Sequence, residues 1–184
     1  MDKNEKEDRC DCLPNQEQSP PKPALTLLPG MHVMHPLHGI GFVEKFETKE
    51  VLGQKCVFAV ISFLSDKLKM MINVNQKDNL IRALISHEEI SYVLSYIKSF
   101  VSDYPIKSSE RYNLNMKKIK SSDIIMLAQV IKDLTVLGKA KKLTPKELTM
   151  LKQSKKTMAS EFAFVGSIPI ENAEIMIEES CHTV

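Results

Sequence analysis

The stretch Pro29–Val43, PGMHVMHPLHGIGFV, decides the fold. Two short apolar runs, Met31–Met34 and Ile40–Val43, are joined by a turn rich in Pro and Gly. Pro36 fixes φ and donates no backbone hydrogen bond, while Gly39 and Gly41 tolerate the positive φ of a tight reversal. Strand, turn and strand is the plain reading. A Gly at the start of a strand also lets two backbones cross closely, as at the corner of a small barrel. The alternating segment from Val43 to Phe63 is long enough to wrap back over this hairpin.

Downstream, strand signals continue to Leu84. Val43–Glu50 and Gln54–Phe63 flank Gly53, and Lys67–Asn73 follows a turn at Ser65-Asp66. Lys67, Lys69 and Met71 alternate with Leu68, Met70 and Ile72, the period of a half-buried strand, so one of Met70 and Met71 faces the core and the other a partner or solvent. Leu80–Leu84 supplies a last short strand. Short strands packed this closely predict a small β-barrel of SH3 or Tudor type, although composition alone does not separate it from an OB-fold.

At Ser86 the period changes. Ser86-His-Glu-Glu89 is a capping box, followed by Ile90, Val93, Leu94, Ile97 and Val101 at helical spacing. Pro105 interrupts, and a second helix is predicted over Ser108–Lys120. Ser122 is placed to cap a third helix, with the stripe Ile124, Leu127, Ile131 and Leu134, ending at Gly138. Thr144-Pro-Lys-Glu147 joins an N-cap, Pro at the first helical position and a capping Glu. That fourth helix carries Leu148, Leu151, Met158 and Phe162, and Pro169 opens a short fifth with Ala173, Ile175 and Ile177. The chain is therefore predicted to be α+β in two domains: a polar, disordered tail over residues 1–24, a barrel over 25–85 and an all-α domain over 86–180.

Two features set the function class. First, a total charge of only +2 hides a strong asymmetry. Lys98–Lys156 holds 14 Lys/Arg against 5 Asp/Glu, whereas residues 161–184 hold none against 5. The middle of the chain is aimed at a polyanion. Second, no enzyme signature is present: there is no Gly-rich phosphate loop, nucleophile elbow or paired metal ligands. The strand carboxylates Glu44, Glu47 and Glu50 lie beside lysines, as on a solvated face. Cys10-x-Cys12 is half a zinc site with no second ligand pair nearby, and the four cysteines make no disulfide framework. His32, His35 and His38 recur every three residues, a spacing that does not converge on one face of a strand. No metal, cofactor or catalytic residue is expected. The longest apolar run, Cys56–Ile61, is too short for a bilayer, and no secretion signal is visible, so the expected place is the cytoplasm, away from membranes.

The opening stretch also resembles the start of the CarD/CdnL family of bacterial transcription regulators: Gly30, hydrophobics, Pro36, then His38-Gly39 and Gly41, with His35 where that family more often has Tyr. A similar module occurs in the transcription-repair coupling factor. The helical half is similar in Arg111-Tyr112, Asn115–Asp123, Asp133-Leu134, Leu143–Leu151 and Glu161-Phe162-Ala163. The resemblance implies a barrel that binds the β subunit of RNA polymerase and helices that contact upstream promoter DNA and prolong the open complex. On this chain the polymerase-facing residues would be Lys49, Lys69 and Met71. Some members have Arg at the last position, so Met71 would forgo a charge-assisted contact of about 1.5–3 kcal/mol. The DNA-facing residues would be Arg111, Lys117, Lys118 and Lys120, through non-specific phosphate contacts. Lys139, Lys141 and Lys142 form a second basic cluster. Several members carry a Trp near the position of Ser108 that wedges at the melting fork; this chain has no Trp, so fork stabilisation is not expected of it unless Tyr104 or Tyr112 substitutes. The alternative is a stand-alone nucleic-acid-binding module, which requires aromatics on the barrel face, whereas Phe42, Phe46, Phe58 and Phe63 mostly fall at core positions.

Overall fold

The Pro29–Val43 stretch folds as the expected hairpin. In the computed structural model, which describes residues 26–64, 68–74, 80–104 and 107–182, β1 (His32–His35) pairs antiparallel with β2 (Gly39–Val51). Val33 lies opposite Gly41 and Met34 opposite Ile40. The tail with Cys10 and Cys12, the Ser65-Asp66 turn, Lys67 and Pro105 lie outside the described residues. Gly41 leaves room for side chains of the strand that follows the hairpin. A Cβ there would come within 2.6 Å of Ile61 Cγ2 and 2.9 Å of Phe63 Cε1.

β2 is one long strand, and it turns into β3 (Gln54–Phe63) through Leu52 and Gly53, both at positive φ. Such a turn matches the right-handed twist of the strands it joins. β4 (Lys69–Asn73) pairs with β3, and β5 (Arg82–Ala83) pairs with β1, giving the order β4-β3-β2-β1-β5. The sheet is open along this order: among the described residues no pairing joins β4 to β5.

A β-bulge between Val43 and Lys45 corrects the simple alternation. Val43 opposes Ile61 while Lys45 opposes Val60, so Glu44 is the extra residue. The bulge lets Val43 and Phe46, three apart, both join the core of Val33, Ala59, Ile61, Phe63 and Ile81. It also turns Glu44 and Lys45 to the same outer face. Met70 and Ile72 pack against that core, and Met71 points away from it.

Five helices follow: α1 (His87–Ser99), α2 (Ser108–Lys120), α3 (Ile124–Ala140), α4 (Pro145–Gly166) and α5 (Ile170–His182). The capping boxes at Ser86–Glu89 and Thr144–Glu147 are both formed. Five expectations need correction. Asp123 caps α3, its Oδ1 accepting from Ile125 N at 2.7 Å and Met126 N at 3.2 Å. The expected cap Ser122 takes a left-handed φ one residue earlier, and an acidic cap also complements the helix dipole. α3 runs through Gly138, because tertiary packing on both its sides outweighs the propensity of one Gly. Val101 lies beyond the end of α1 and is exposed, as is Ile175 on α5. On α4 the inward stripe is Glu147, Met150, Ser154, Met158, Glu161 and Phe162, which leaves Leu148 61% exposed. That stripe is half polar, so an apolar pattern alone sets its phase one residue off.

The helices enclose their own core, in which Ile97, Ile131, Leu134, Leu137, Met158, Phe162 and Ile177 are fully buried. The chain is thus α+β in two parts, an antiparallel sheet followed by helices, each with its own apolar cluster.

Gly41→Ala tests the close approach of β2 to the side chains of β3. Neither Ile61 nor Phe63 has room to give, so the extra methyl should lower stability by about 1–3 kcal/mol. Denaturant unfolding of the variant should show a lower midpoint at unchanged slope; an unchanged midpoint would mean the strands separate there without cost.

Candidate interaction surfaces

The outer face of the sheet is built from alternate residues of β2, β3 and β4. Its centre is Cys56, Phe58 and Val60, and along it run Lys45, Glu47 and Lys49 from β2 and Lys69 and Met71 from β4. Lys49 Nζ lies 3.2 Å from Met71 Sδ and 3.4 Å from Glu47 Oε2. Lys45 Nζ is 2.8 Å from Glu47 Oε1, and Lys69 Nζ is 2.8 Å from Glu44 Oε2. The three residues expected to face polymerase therefore stand on one surface, with Met71 40% exposed between two lysines. Hydrogen bonding from Lys69 holds the Glu44 carboxyl below its ordinary range, and hydrogen bonding from Lys45 does the same for Glu47. These are solvent-exposed pairs, which contribute little to stability and re-form readily with another partner. Glu44, Lys45 and Glu47 take part in this surface through the bulge, which leaves no local sequence signal.

The helical residues divide differently. Lys117 and Lys120 are exposed in the last turn of α2, where they also complement the helix dipole. Lys118 is mostly covered, with Nζ 3.2 Å from Asp133 Oδ2. Burial raises the Asp133 carboxyl above its ordinary range, against the pull of Lys118. Arg111, expected on the DNA face, is 3% exposed. Its Nε and Nη2 donate to Glu147 Oε1 at 3.0 and 2.7 Å. Burial pushes the Glu147 carboxyl up, but hydrogen bonds from Thr144 and Arg111 outweigh it and the net displacement is downward. Arg111 thus braces α2 against the start of α4. Ser108 is exposed at the start of α2. Tyr104 packs against the helical core, and Tyr112 lies beneath Lys146, whose Nζ is 5.8 Å from the ring centroid. Lys139, Lys141 and Lys142 are exposed around the end of α3.

Sheet and helices meet at α4. Glu161 Oε1 accepts from Arg82 Nη1 at 2.5 Å and Ile85 N at 3.1 Å, and Oε2 accepts from Arg82 Nη2 at 2.6 Å. The His32 ring lies 4.7 Å from that of Phe164. Beside this junction, Pro36 and Leu37 of the β1–β2 turn face Tyr112, Met116 and Met150 across an open cleft of about 390 Å³. Among the described residues no cluster of His, Cys, Asp and Glu is arranged to hold a metal, and no helix is long and apolar enough to cross a membrane.

Both parts have counterparts among known proteins. The family described as "CarD-like/TRCF RID domain" matches residues 27–85, and that described as "CarD, C-terminal domain" matches residues 92–178. The chain belongs to the CarD family. It is also similar to the Bacillus subtilis (strain 168) protein named "Putative transcription factor YdeB", with 28% identity over 140 residues, 76% of this chain and 92% of that protein. These CarD-family matches point to a transcription factor and not to an enzyme.

The histidines of this CarD-family hairpin do not all separate as the strand spacing suggests. His32 makes tilted ring contacts with Phe42 and Phe164, but His38 lies in the turn and its ring returns to within 4.7 Å of His35. His35 is buried against Phe63, and its Nδ1 accepts from Leu37 N at 3.2 Å and His38 N at 3.3 Å. An acceptor nitrogen must be unprotonated. Burial, with the adjacent His38, lowers the imidazole from 6.5 to about 4. Between those values the unfolded chain binds a proton that the folded chain refuses. Stability from His35 is therefore full above about pH 6.5, is lost as pH falls toward 4, and changes no further below that; the loss should be about 1–3 kcal/mol. His35→Asn keeps an acceptor for the turn amides and should flatten the dependence of stability on pH in that window. An equally steep profile in the variant would assign the titration to another group.

Proposed function

We propose that this chain is a bacterial transcription regulator that holds the RNA polymerase β subunit through the outer face of its sheet and upstream promoter DNA through its basic helices, modulating how long the open complex persists. The observation that carries this reading is the grouping of Lys49, Lys69 and Met71 on one surface of the part that matches the CarD-like/TRCF RID family. Its exchangeable lysine–glutamate pairs let a carboxylate-bearing partner replace internal partners at little cost. Met71 offers an apolar contact at the centre of the same surface. We read the five-stranded sheet as the barrel-type module expected from the sequence, and the cytoplasm as its place.

For DNA, the exposed cations Lys117 and Lys120, with Lys118 at their side, are the phosphate-contacting set, and Arg111 is a brace behind them. Contacts of this kind position a duplex without reading its sequence. Without a Trp at Ser108, and with Tyr104 and Tyr112 both packed, no aromatic wedge stands free at the position where several family members carry the Trp, so the chain should grip duplex without favouring a fork. A stand-alone nucleic-acid module is less favoured: Phe42 and Phe58 are the aromatics on the outer face, and both are half-buried.

Two measurements test the reading. Lys49→Glu with Lys69→Glu should weaken binding to the β subunit at least about tenfold, or about 1.4 kcal/mol, with melting temperature unchanged. Unchanged calorimetric affinity would remove this face from the interface. Separately, if about three phosphates are neutralised, log K for a short duplex should fall against log salt with a slope of about −2.7, and neutralising Lys117 and Lys120 should flatten it by about 1.8. A slope that survives both substitutions would move the DNA surface elsewhere, to Lys139, Lys141 and Lys142.

A further inference from the structure

We propose that Arg82 and Glu161 act as a latch that fixes the angle between sheet and helices, and that this fixed angle lets one molecule hold polymerase and DNA together. The second clause rests on the tethering function proposed above. The first rests on geometry alone. Leu84, Ile85 and Ser86 are the whole connection between β5 and α1. Three residues of extended backbone are a hinge unless something grips them. Glu161 grips its entry and its middle: the Arg82 guanidinium in the last strand and the Ile85 amide inside the connection converge on one carboxylate. The Glu161 side chain is wholly buried and that of Arg82 nearly so. Phe164, one turn further along α4, meets His32 of β1, the strand that pairs with β5. Two neighbouring strands are thus pinned to one face of one helix.

The chemistry chosen suits orientation more than affinity. A well-packed apolar pair would cover the same area without defining an angle, and replacing buried ion pairs in that way is often neutral or stabilising. A two-pronged guanidinium–carboxylate pair is satisfied in one plane and at one distance. When two surfaces of one molecule bind two parts of a larger assembly, the second contact is strengthened only if the spacing is held near the correct one. Neither Arg82 nor Glu161 lies on the proposed polymerase or DNA surface, so both are positioning residues.

The test uses the full chain with spin labels at Leu52→Cys and Ile175→Cys, two exposed sites on opposite parts, in a background with Cys10, Cys12 and Cys56 replaced by Ser. Pulsed electron resonance should give one narrow distance distribution for the latched chain and a broad one for Glu161→Gln. Arg82→Lys, which keeps the charge and loses the fork, should also broaden it and guards against a Glu161 variant that does not fold. With the native cysteines kept and no label attached, binding of the Glu161 and Arg82 variants to polymerase without promoter, and to duplex alone, should stay within about twofold, while the lifetime of the complex containing both should fall at least about tenfold. A distribution that stays narrow in both folded variants overturns the latch. A parallel loss of both affinities along with that lifetime also overturns it, since that would mean damage to the binding surfaces. If the latched chain binds neither polymerase nor DNA, the tethering function falls, and the distance distributions still decide whether the latch exists.

Discussion

Two buried carboxylates on one helix hold this molecule in its shape. Glu147 and Glu161 stand 14 residues apart on α4, about 21 Å along the helix axis. Each receives an arginine from a different element, Arg111 of α2 at one end and Arg82 of β5 at the other. A buried carboxylate is tolerated only when its oxygens are satisfied, and here backbone or hydroxyl donors complete each set: Thr144 for Glu147 and Ile85 N for Glu161. α4 is therefore the beam against which both the helical bundle and the sheet are squared.

This arrangement explains what the sequence could show and what it could not. Capping boxes are local: Ser86–Glu89 and Thr144–Glu147 involve residues three apart, so their presence was readable and the helix starts follow from them. The hairpin was equally local, since Pro36, Gly39 and Gly41 specify a reversal within a few residues. The bulge at Glu44 was not readable, because its cause is a partner strand about 17 residues away. It decides which side of the sheet Lys45, Glu47 and Lys49 occupy, and with it the composition of the candidate polymerase face.

Arg111 shows the same limit from the functional side. In the sequence it lies six residues before a lysine cluster, on a helix with every sign of facing a polyanion. Its guanidinium turns inward because Glu147 is buried nearby and must be neutralised. The one available hint was phase: Glu147 and Glu161 fall on the stripe that also carries Met150, Met158 and Phe162, and an acid on an apolar stripe needs a cation from another element. That argument calls for two buried arginines or lysines without naming them. Among the described residues no such carboxylate meets Lys117 or Lys120, and both remain at the surface.

The division of cations into inward and outward sets also bears on how charge should be counted in such a chain. The central excess of basic residues is real, yet Arg111 is neutralised internally and Lys118 is largely covered beside Asp133. What a phosphate backbone meets is the exposed remainder, and only that remainder releases counterions on binding. Internal pairs act instead on where the exposed charges stand. Arg111 holds α2 against α4, α4 holds the sheet through Glu161, and so the position of Lys117 and Lys120 relative to Lys49 and Lys69 is set by two ion pairs that lie on neither proposed surface.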